Sequence, residues 1–177
     1  MNSPYEGRFQ VTQQFKGSAH DGLDLVGLDS KDIHATVTGK VIYAGWENEA
    51  NHKQGFGQFV CILGPDGNYY YYGHMSKLKT TTGAQVKCTD VIGVEGDTGY
   101  SFGSHCHYCV RPKFSAGCYV DVCQISGIPN ALGIYDDGYR PGTTPAEEKP
   151  TEKEPTVEPV GSGTITIDGK TYDVKLY

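Results

Sequence analysis

The sequence predicts an all-β protein. Glycine (24) and tyrosine (13) are abundant, leucine-rich helical periodicity is nearly absent, and short apolar runs alternate with turn signals. The elements follow in chain order. Residues 11–15 read as a short strand entering a His-Asp-Gly-Leu-Asp segment, and 37–46 read as a strong strand with a turn or bulge at Gly39-Lys40. Residues 47–57 are polar, carry two glycines and read as a loop. Two strands, 58–63 and 69–74, flank Gly64-Pro65-Asp66-Gly67-Asn68, where proline and Asp-Gly mark a hairpin turn. Residues 86–94 are strand-like and lead into a glycine-rich turn at Gly96, Gly99 and Gly103. A strand follows over 104–110 and ends at Pro112. The pattern weakens over 114–139, and 120–125 fits a short helix or a strand equally well.

The chain has 177 residues, of which 37% are hydrophobic, enough for one domain with a real core plus an appendage. The expected organisation is a domain over 1–140, a linker over 141–162 and a small β appendage over 163–177. Pro141, Pro145, Pro150, Pro155 and Pro159 recur among Thr, Glu and Lys, so the linker reads as an extended passive tether. Beyond it, apolar and polar residues alternate around Asp168-Gly169 as a hairpin that docks, pairs with another copy, or begins a truncated wall-binding module.

The net charge of −6, without a basic stripe or arginine cluster, excludes a nucleic-acid partner. No apolar run is long enough for a membrane span. Residues 1–8 lack the apolar region of a secretion signal. The chain is therefore expected to be made for the cytosol, released by another route, or shown without its leader. Its six cysteines are expected to be reduced thiols.

His105 and His107 carry the chemistry. Two histidines one residue apart on a strand point to the same side. His20 and Asp24, four apart with Gly22 between them, also converge on one point. Three such ligands plus an open position are how catalytic zinc is held, and a spare histidine is a candidate proton carrier.

Four segments in order give these residues a family resemblance. They are His20-Asp21-Gly22-Leu23-Asp24-Leu25; Ile33-His34-Ala35 through Gly39-Lys40-Val41; Tyr72-Gly73-His74-Met75-Ser76; and Gly96-Asp97-Thr98-Gly99 through Gly103-Ser104-His105-Cys106-His107. From about Phe9 to Pro112 the chain resembles the lysostaphin-type zinc metalloendopeptidases, which cut peptide cross-links in bacterial peptidoglycan. The resemblance implies Zn2+ held by His20, Asp24 and His107, with His74 and His105 as catalytic histidines. It also implies a compact, mostly antiparallel β domain with a zinc-bearing groove, of the duplicated-hybrid-motif barrel or sandwich type. The partners would be peptidoglycan stem or bridge peptides, and the place of action the cell wall, reached from outside or by phage delivery. His105 is assigned as base and His74 as oxyanion donor, with exchange of the two roles left open. A non-catalytic relative that binds cell wall or activates another hydrolase is the alternative, and such relatives typically lose one of these five residues.

One position departs from the family. The glutamate usual two residues after the second histidine is Cys109 here, expected as a neutral neighbour of the ligands rather than an extra ligand. A structural zinc knot on Cys106 and Cys109 is disfavoured, because strand alternation turns them to opposite sides. Strand parity favours Asp24 over Asp21 as ligand, leaving Asp21 as a solvated or turn residue. His34 and His52 are expected at the surface. Of Tyr69 to Tyr72, half are expected to face inward and half outward, where they would pack or line a groove.

Overall fold

The computed structural model describes residues 1–137, 161–167 and 170–176. The chain divides into two compact units, Met1–Pro141 and Gly142–Tyr177. The first unit runs through β1 (Arg8–Gln13), β2 (Gly22–Gly27), β3 (Asp32–His34), β4 (Gly39–Trp46), β5 (Gln58–Leu63) and β6 (Tyr69–Tyr72). It continues with β7 (Lys77–Leu78), β8 (Gln85–Val86), β9 (Val91–Val94), β10 (Cys106–Arg111), the helix α1 (Val122–Ser126) and β11 (Gly133–Asp136). An eight-stranded sheet has the order β11-β1-β2-β10-β6-β5-β4-β8, and a three-stranded sheet has the order β3-β9-β7. The pairings within both sheets are antiparallel, so the protein is mostly antiparallel β with very little helix.

Alternation along the strands decides where the core lies. Leu23, Leu25, Ile62, Tyr72, Cys106, Tyr108 and Val110 of the large sheet join Ile33 and Ile92 of the small sheet in one buried cluster. A buried hydroxyl cluster fixes the two sheets together. Thr36 Oγ1 lies 2.7 Å from Tyr72 Oη and 2.9 Å from Tyr108 Oη, and the Thr36 N–H donates to Tyr72 Oη. Side chains of opposite parity, Phe59, Cys61, Tyr71 and Cys109, form a second cluster on the other face of the large sheet.

Several elements differ from the sequence expectation. β1 begins and ends earlier, because Gln14 and Phe15 leave the sheet to bond Asn130. The stretch 86–94 breaks into β8 and β9. Asp90 accepts from the Lys87 N–H and Thr89 takes φ +79°, so Val86 joins β4 while Val91 joins β3. Gly39 opens β4 rather than turning within it, since a Cβ there would meet the Leu63 carbonyl oxygen at 2.1 Å; the bulge falls between Val41 and Tyr43. Residues 120–125 resolve toward helix: Asp121 caps α1 by accepting from the Cys123 N–H, and Gly127 ends it at φ +70°.

Burial corrects one further expectation and bears out another. His34 is buried rather than at the surface; its Nδ1–H donates to the Thr89 carbonyl and its Nε2 lies 3.4 Å from Glu6. Tyr70 and Tyr72 join the main core while Tyr69 and Tyr71 lie on the other face of β6, the alternation expected, and of the two roles open to the outer pair Tyr71 takes packing, in the second cluster. The six cysteines are free thiols. In the second unit β12 (Gly161–Ile167) pairs antiparallel with β13 (Lys170–Leu176). The linker expected over 141–162 lies, apart from its last two residues, outside the described residues, as does the Asp168-Gly169 turn.

Glu95 is the chief buried charge outside the histidine cluster. Its carboxylate accepts from Tyr5 Oη (2.6 Å), the Gly27 N–H (2.9 Å), Lys31 Nζ (2.8 Å) and Ser104 Oγ (2.6 Å). Burial alone would raise its pKa, but these donors outweigh burial and hold it below the usual value of 4.5. Glu95→Gln puts an amide N–H₂ where only donors converge, and should cost about 2–3 kcal/mol in urea unfolding. Because the folded pKa is depressed, this stabilisation is full above the unfolded pKa and is lost as pH falls through the folded one. The difference between wild type and Glu95→Gln should therefore hold steady from pH 6 to 7.5 and shrink below pH ~4.5.

Candidate metal centre

Strand register builds the centre. In the β2–β10 ladder Asp24 is the direct partner of His107, and Leu25 is the partner of Cys106. Leu25 and Cys106 enter the main core, so Asp24 and His107 project together from the opposite face. His20 arrives from the turn just before β2, after a single 3-10 turn, Gly17–Ala19. His20 Nε2 lies 3.1 Å from Asp24 Oδ1 and 3.2 Å from His107 Nδ1, and His107 Nδ1 lies 2.9 Å from Asp24 Oδ1. The three residues expected as ligands are thus brought together.

The other two histidines lie beside them. His105 precedes β10 and bridges to Gly96; its Nε2 is 3.6 Å from Asp24 Oδ1. His74 follows β6, and its ring centroid is 4.6 Å from that of His105. The Gly73 N–H donates to the His107 carbonyl and the His74 N–H to the Phe56 carbonyl. Between these bonds His74 is held at φ +62°, in the left-handed region that a non-glycine residue rarely adopts.

Backbone carbonyls set the ring orientations. A carbonyl only accepts, so the ring nitrogen facing it must carry the proton. His20 Nδ1–H donates to the Gln14 carbonyl (2.7 Å), His74 Nδ1–H to Thr98 (2.7 Å) and His105 Nδ1–H to Gly103 (2.7 Å). Each therefore keeps Nε2 for the cluster. Burial, reinforced by His105, pushes His74 down to about 4. Burial would raise Asp24, but hydrogen bonds from His107 and His20 hold it well below the carboxylate range. Burial would lower His107, yet Asp21, Asp24 and Cys109 together push it well above the usual histidine value.

Asp21 is a correction. It is neither solvated nor a mere turn residue: its Oδ1 lies 3.2 Å from His107 Nε2, and its Oδ2 accepts from Arg111 Nε (3.0 Å) and Nη2 (2.7 Å). The sequence presented Asp21 only as a rival ligand to Asp24, and Arg111 was not singled out. The signal was present, because Arg111 shares strand parity with His105 and His107 and a half-buried arginine needs a carboxylate. Cys109 is buried on the same face, with a ligand atom within 4.8 Å of those of Asp21 and His107. His52 is exposed on its loop and stacks on Trp46 at 3.6 Å. The cluster floors a groove of about 830 Å³ whose walls include Glu47, Phe56 and the exposed pair Tyr100 and Phe102.

The donor set fits zinc. Two imidazoles and a carboxylate are ordinary zinc ligands, and bonds of ~2.0–2.1 Å at tetrahedral angles put ligand atoms roughly 3.3 Å apart. The three edges here, 2.9, 3.1 and 3.2 Å, come close to that figure before any ion draws them together. Each imidazole also donates its second N–H to an acceptor, as metal-binding histidines do.

Gly22 allows this approach. A Cβ there would lie 2.6 Å from the Tyr108 carbonyl oxygen, 2.8 Å from His107 Nε2 and 2.9 Å from Cys109 Cβ. Gly22→Ala should therefore lower stability by about 1–3 kcal/mol in denaturant unfolding, the usual cost of overpacking. It should also weaken zinc retention during dialysis against a chelator.

The chain was compared with known proteins. Residues 18–121 match peptidase family M23. Lysostaphin of Staphylococcus simulans is 33% identical over 93 residues, which are 52% of this chain and 18% of that protein. The murein hydrolase activator NlpD of Escherichia coli (strain K12) is 29% identical over 110 residues, 62% of this chain and 27% of its own. The match thus covers less than a third of either relative's length. Among solved structures, the catalytic domain of lysostaphin from Staphylococcus simulans aligns with a TM-score of 0.55 at 27% identity, over 67% of this chain and 90% of that one. A zinc-containing peptidase from Vibrio cholerae aligns with a TM-score of 0.52 at 25% identity, over 62% of this chain and 35% of that one. The matched family span begins just before His20, ends at Asp121 and takes in the whole cluster, and by it the chain belongs to peptidase family M23.

Proposed function

We propose that this chain is a zinc-dependent endopeptidase that hydrolyses peptide cross-links or bridges of bacterial peptidoglycan, acting at the cell wall as a lytic enzyme. One observation carries the reading: His20, Asp24 and His107 offer three ligand atoms within hydrogen-bonding distance of one another, with His74 and His105 beside them on the same groove. In this reading the three hold zinc and the other two histidines move protons. The likeness to lysostaphin, a peptidoglycan-directed enzyme by the family resemblance, supports the substrate class.

Zinc bound there supplies Lewis acidity, polarising a carbonyl and making hydroxide available near pH 7. The chain's own residues do the rest. With Nδ1–H tied to the Gly103 carbonyl, neutral His105 presents Nε2 as a proton acceptor facing the groove. His74, tied to Thr98, presents Nε2 in the same way, so either ring can take the proton that the attacking water gives up, and the imidazolium so formed donates to the developing oxyanion and returns that proton to the leaving amine. Their nearly equal anchoring leaves the roles of the two rings exchangeable. The left-handed backbone at His74 holds the ring in the groove at a cost of about 1–3 kcal/mol, a cost typical of functional residues.

The likeness to the activator NlpD favours one second reading, a chain that binds the wall or activates another hydrolase without cutting. A single assay separates the two. Purified chain loaded with zinc should clear a suspension of cell walls, and mass spectrometry of digests of peptidoglycans with different bridges should show new peptide termini. His105→Ala should retain zinc and fold while activity falls by at least about 10²-fold. A zinc-loaded wild type that releases no fragment from any bridge type refutes the hydrolase reading and leaves the activator.

His74→Asn tests the backbone argument. Asparagine tolerates left-handed φ better than most residues, so this variant should lose activity while its Tm stays within a few degrees of wild type.

A further inference from the structure

We infer that Asp21, clamped by Arg111, is a positioning residue for His107: it fixes the proton on Nε2 and so leaves Nδ1 free for the metal. The inference rests on the zinc reading above and adds two residues to it. His107 differs from His20, His74 and His105 in that, among the described residues, no backbone carbonyl fixes its ring; its outer nitrogen meets a carboxylate instead, Asp21 Oδ1 at 3.2 Å. A carboxylate accepts and never donates when ionised, so it selects the Nε2–H form of the ring. It also makes the imidazole more basic and therefore a stronger metal ligand.

Arg111 keeps that carboxylate in place. Both Nε and Nη2 donate to the same oxygen, Asp21 Oδ2, which leaves Oδ1 for His107. The guanidinium lies over two rings, 5.1 Å from the centroid of Phe56 and 4.8 Å from that of Tyr71, while Nη1 reaches the Ser115 carbonyl at 3.3 Å. Phe56 in turn packs 5.5 Å from the His107 ring. The result is a continuous chain of contacts from Tyr71 through Arg111 and Asp21 to the outer nitrogen of His107. Cys109, which could otherwise complete a second metal site with Asp21 and His107, sits beside this fixed positive charge. A cation 2.7 Å from Asp21 Oδ2 opposes a second cation there, so the group serves as support for one metal rather than as a site for two.

The test measures zinc affinity by chelator competition on the full chain, with metal content and the Tm of the metal-free protein as companions. Wild type should hold one zinc per chain. Asp21→Ala should weaken zinc by about 10- to 100-fold, and by leaving Arg111 without its carboxylate it should also lower the metal-free Tm. Asp21→Asn keeps a carbonyl acceptor for Nε2–H and should recover part of the loss, which also covers the case in which Asp21→Ala folds poorly. In the zinc-loaded wild type the His107 Nε2–H proton should appear as a slowly exchanging downfield resonance that broadens in Asp21→Ala.

Equal zinc affinity in wild type and both variants, or an unchanged Nε2–H resonance, overturns the inference. So does a second zinc in the wild type that Asp21→Ala or Cys109→Ser removes, since Asp21 would then be a ligand. A wild type that binds no zinc overturns both this inference and the zinc reading. A wild type that binds zinc but leaves peptidoglycan intact removes the proposed activity alone.

Discussion

The register of β2 against β10 is the constraint from which the rest of the site follows. Pairing Asp24 with His107 puts a carboxylate oxygen and a ring nitrogen within 2.9 Å on one face of the sheet. A slip of β2 by one residue would turn that strand over, carrying Asp24 into the core and bringing Leu25 out on the His107 face. The register is held by what lies beneath it: Leu23, Leu25, Cys106 and Tyr108 are fully buried between the sheets. The main hydrophobic core thus specifies how the candidate ligand atoms of Asp24 and His107 are placed, although none of its side chains lines the groove.

Every histidine of the cluster is aimed by an acceptor behind it. Three of the acceptors are backbone carbonyls, at Gln14, Thr98 and Gly103, and the fourth is Asp21. Carbonyls of a folded backbone do not titrate, so they hold a tautomer whatever the pH of the surroundings. The loops that carry them are tied down as well. Thr98 Oγ1 donates to the Met75 carbonyl and accepts from the Gln58 N–H, and the Gly103 N–H donates to Asp97. Glu95, through Ser104 and Gly27, joins the segment before His105 to β2. The groove therefore carries mobile-looking glycine-rich sequence in a fixed conformation, which suits a site that must present ring nitrogens at set distances.

Much of the large sheet was legible from sequence, because 58–63, 69–72 and 106–111 are dense in β-branched and aromatic residues and are bounded by strong turn signals. β2 and β11 were not marked as strands. β2 contains two glycines and an aspartate, and β11 is four residues with alternating exposure at the sheet edge. The break at Lys87–Asp90 was hidden for a similar reason: apolar residues on both sides suggested one strand, and the turn came from an Asp90 bond to its own neighbour. His34 was misplaced because sequence parity says which residues share a side, not whether a second layer covers that side.

By itself the sequence determined the chemistry on offer. Period-two spacing put His105, His107 and Cys109 on one side of one strand, and the ordered segments around His20, Asp24 and His74 named the residues that a zinc-binding groove would use. Only the tertiary structure decided which of them meet, which nitrogen each ring offers, and that Asp21 serves His107 instead of water. Those outcomes depend on distances between residues 83 to 90 positions apart in the chain, such as Asp24 to His107 and Asp21 to Arg111. Local pattern fixes the direction of a side chain along its own strand. Long-range register, a covering layer and a carbonyl at the right height are products of the whole fold.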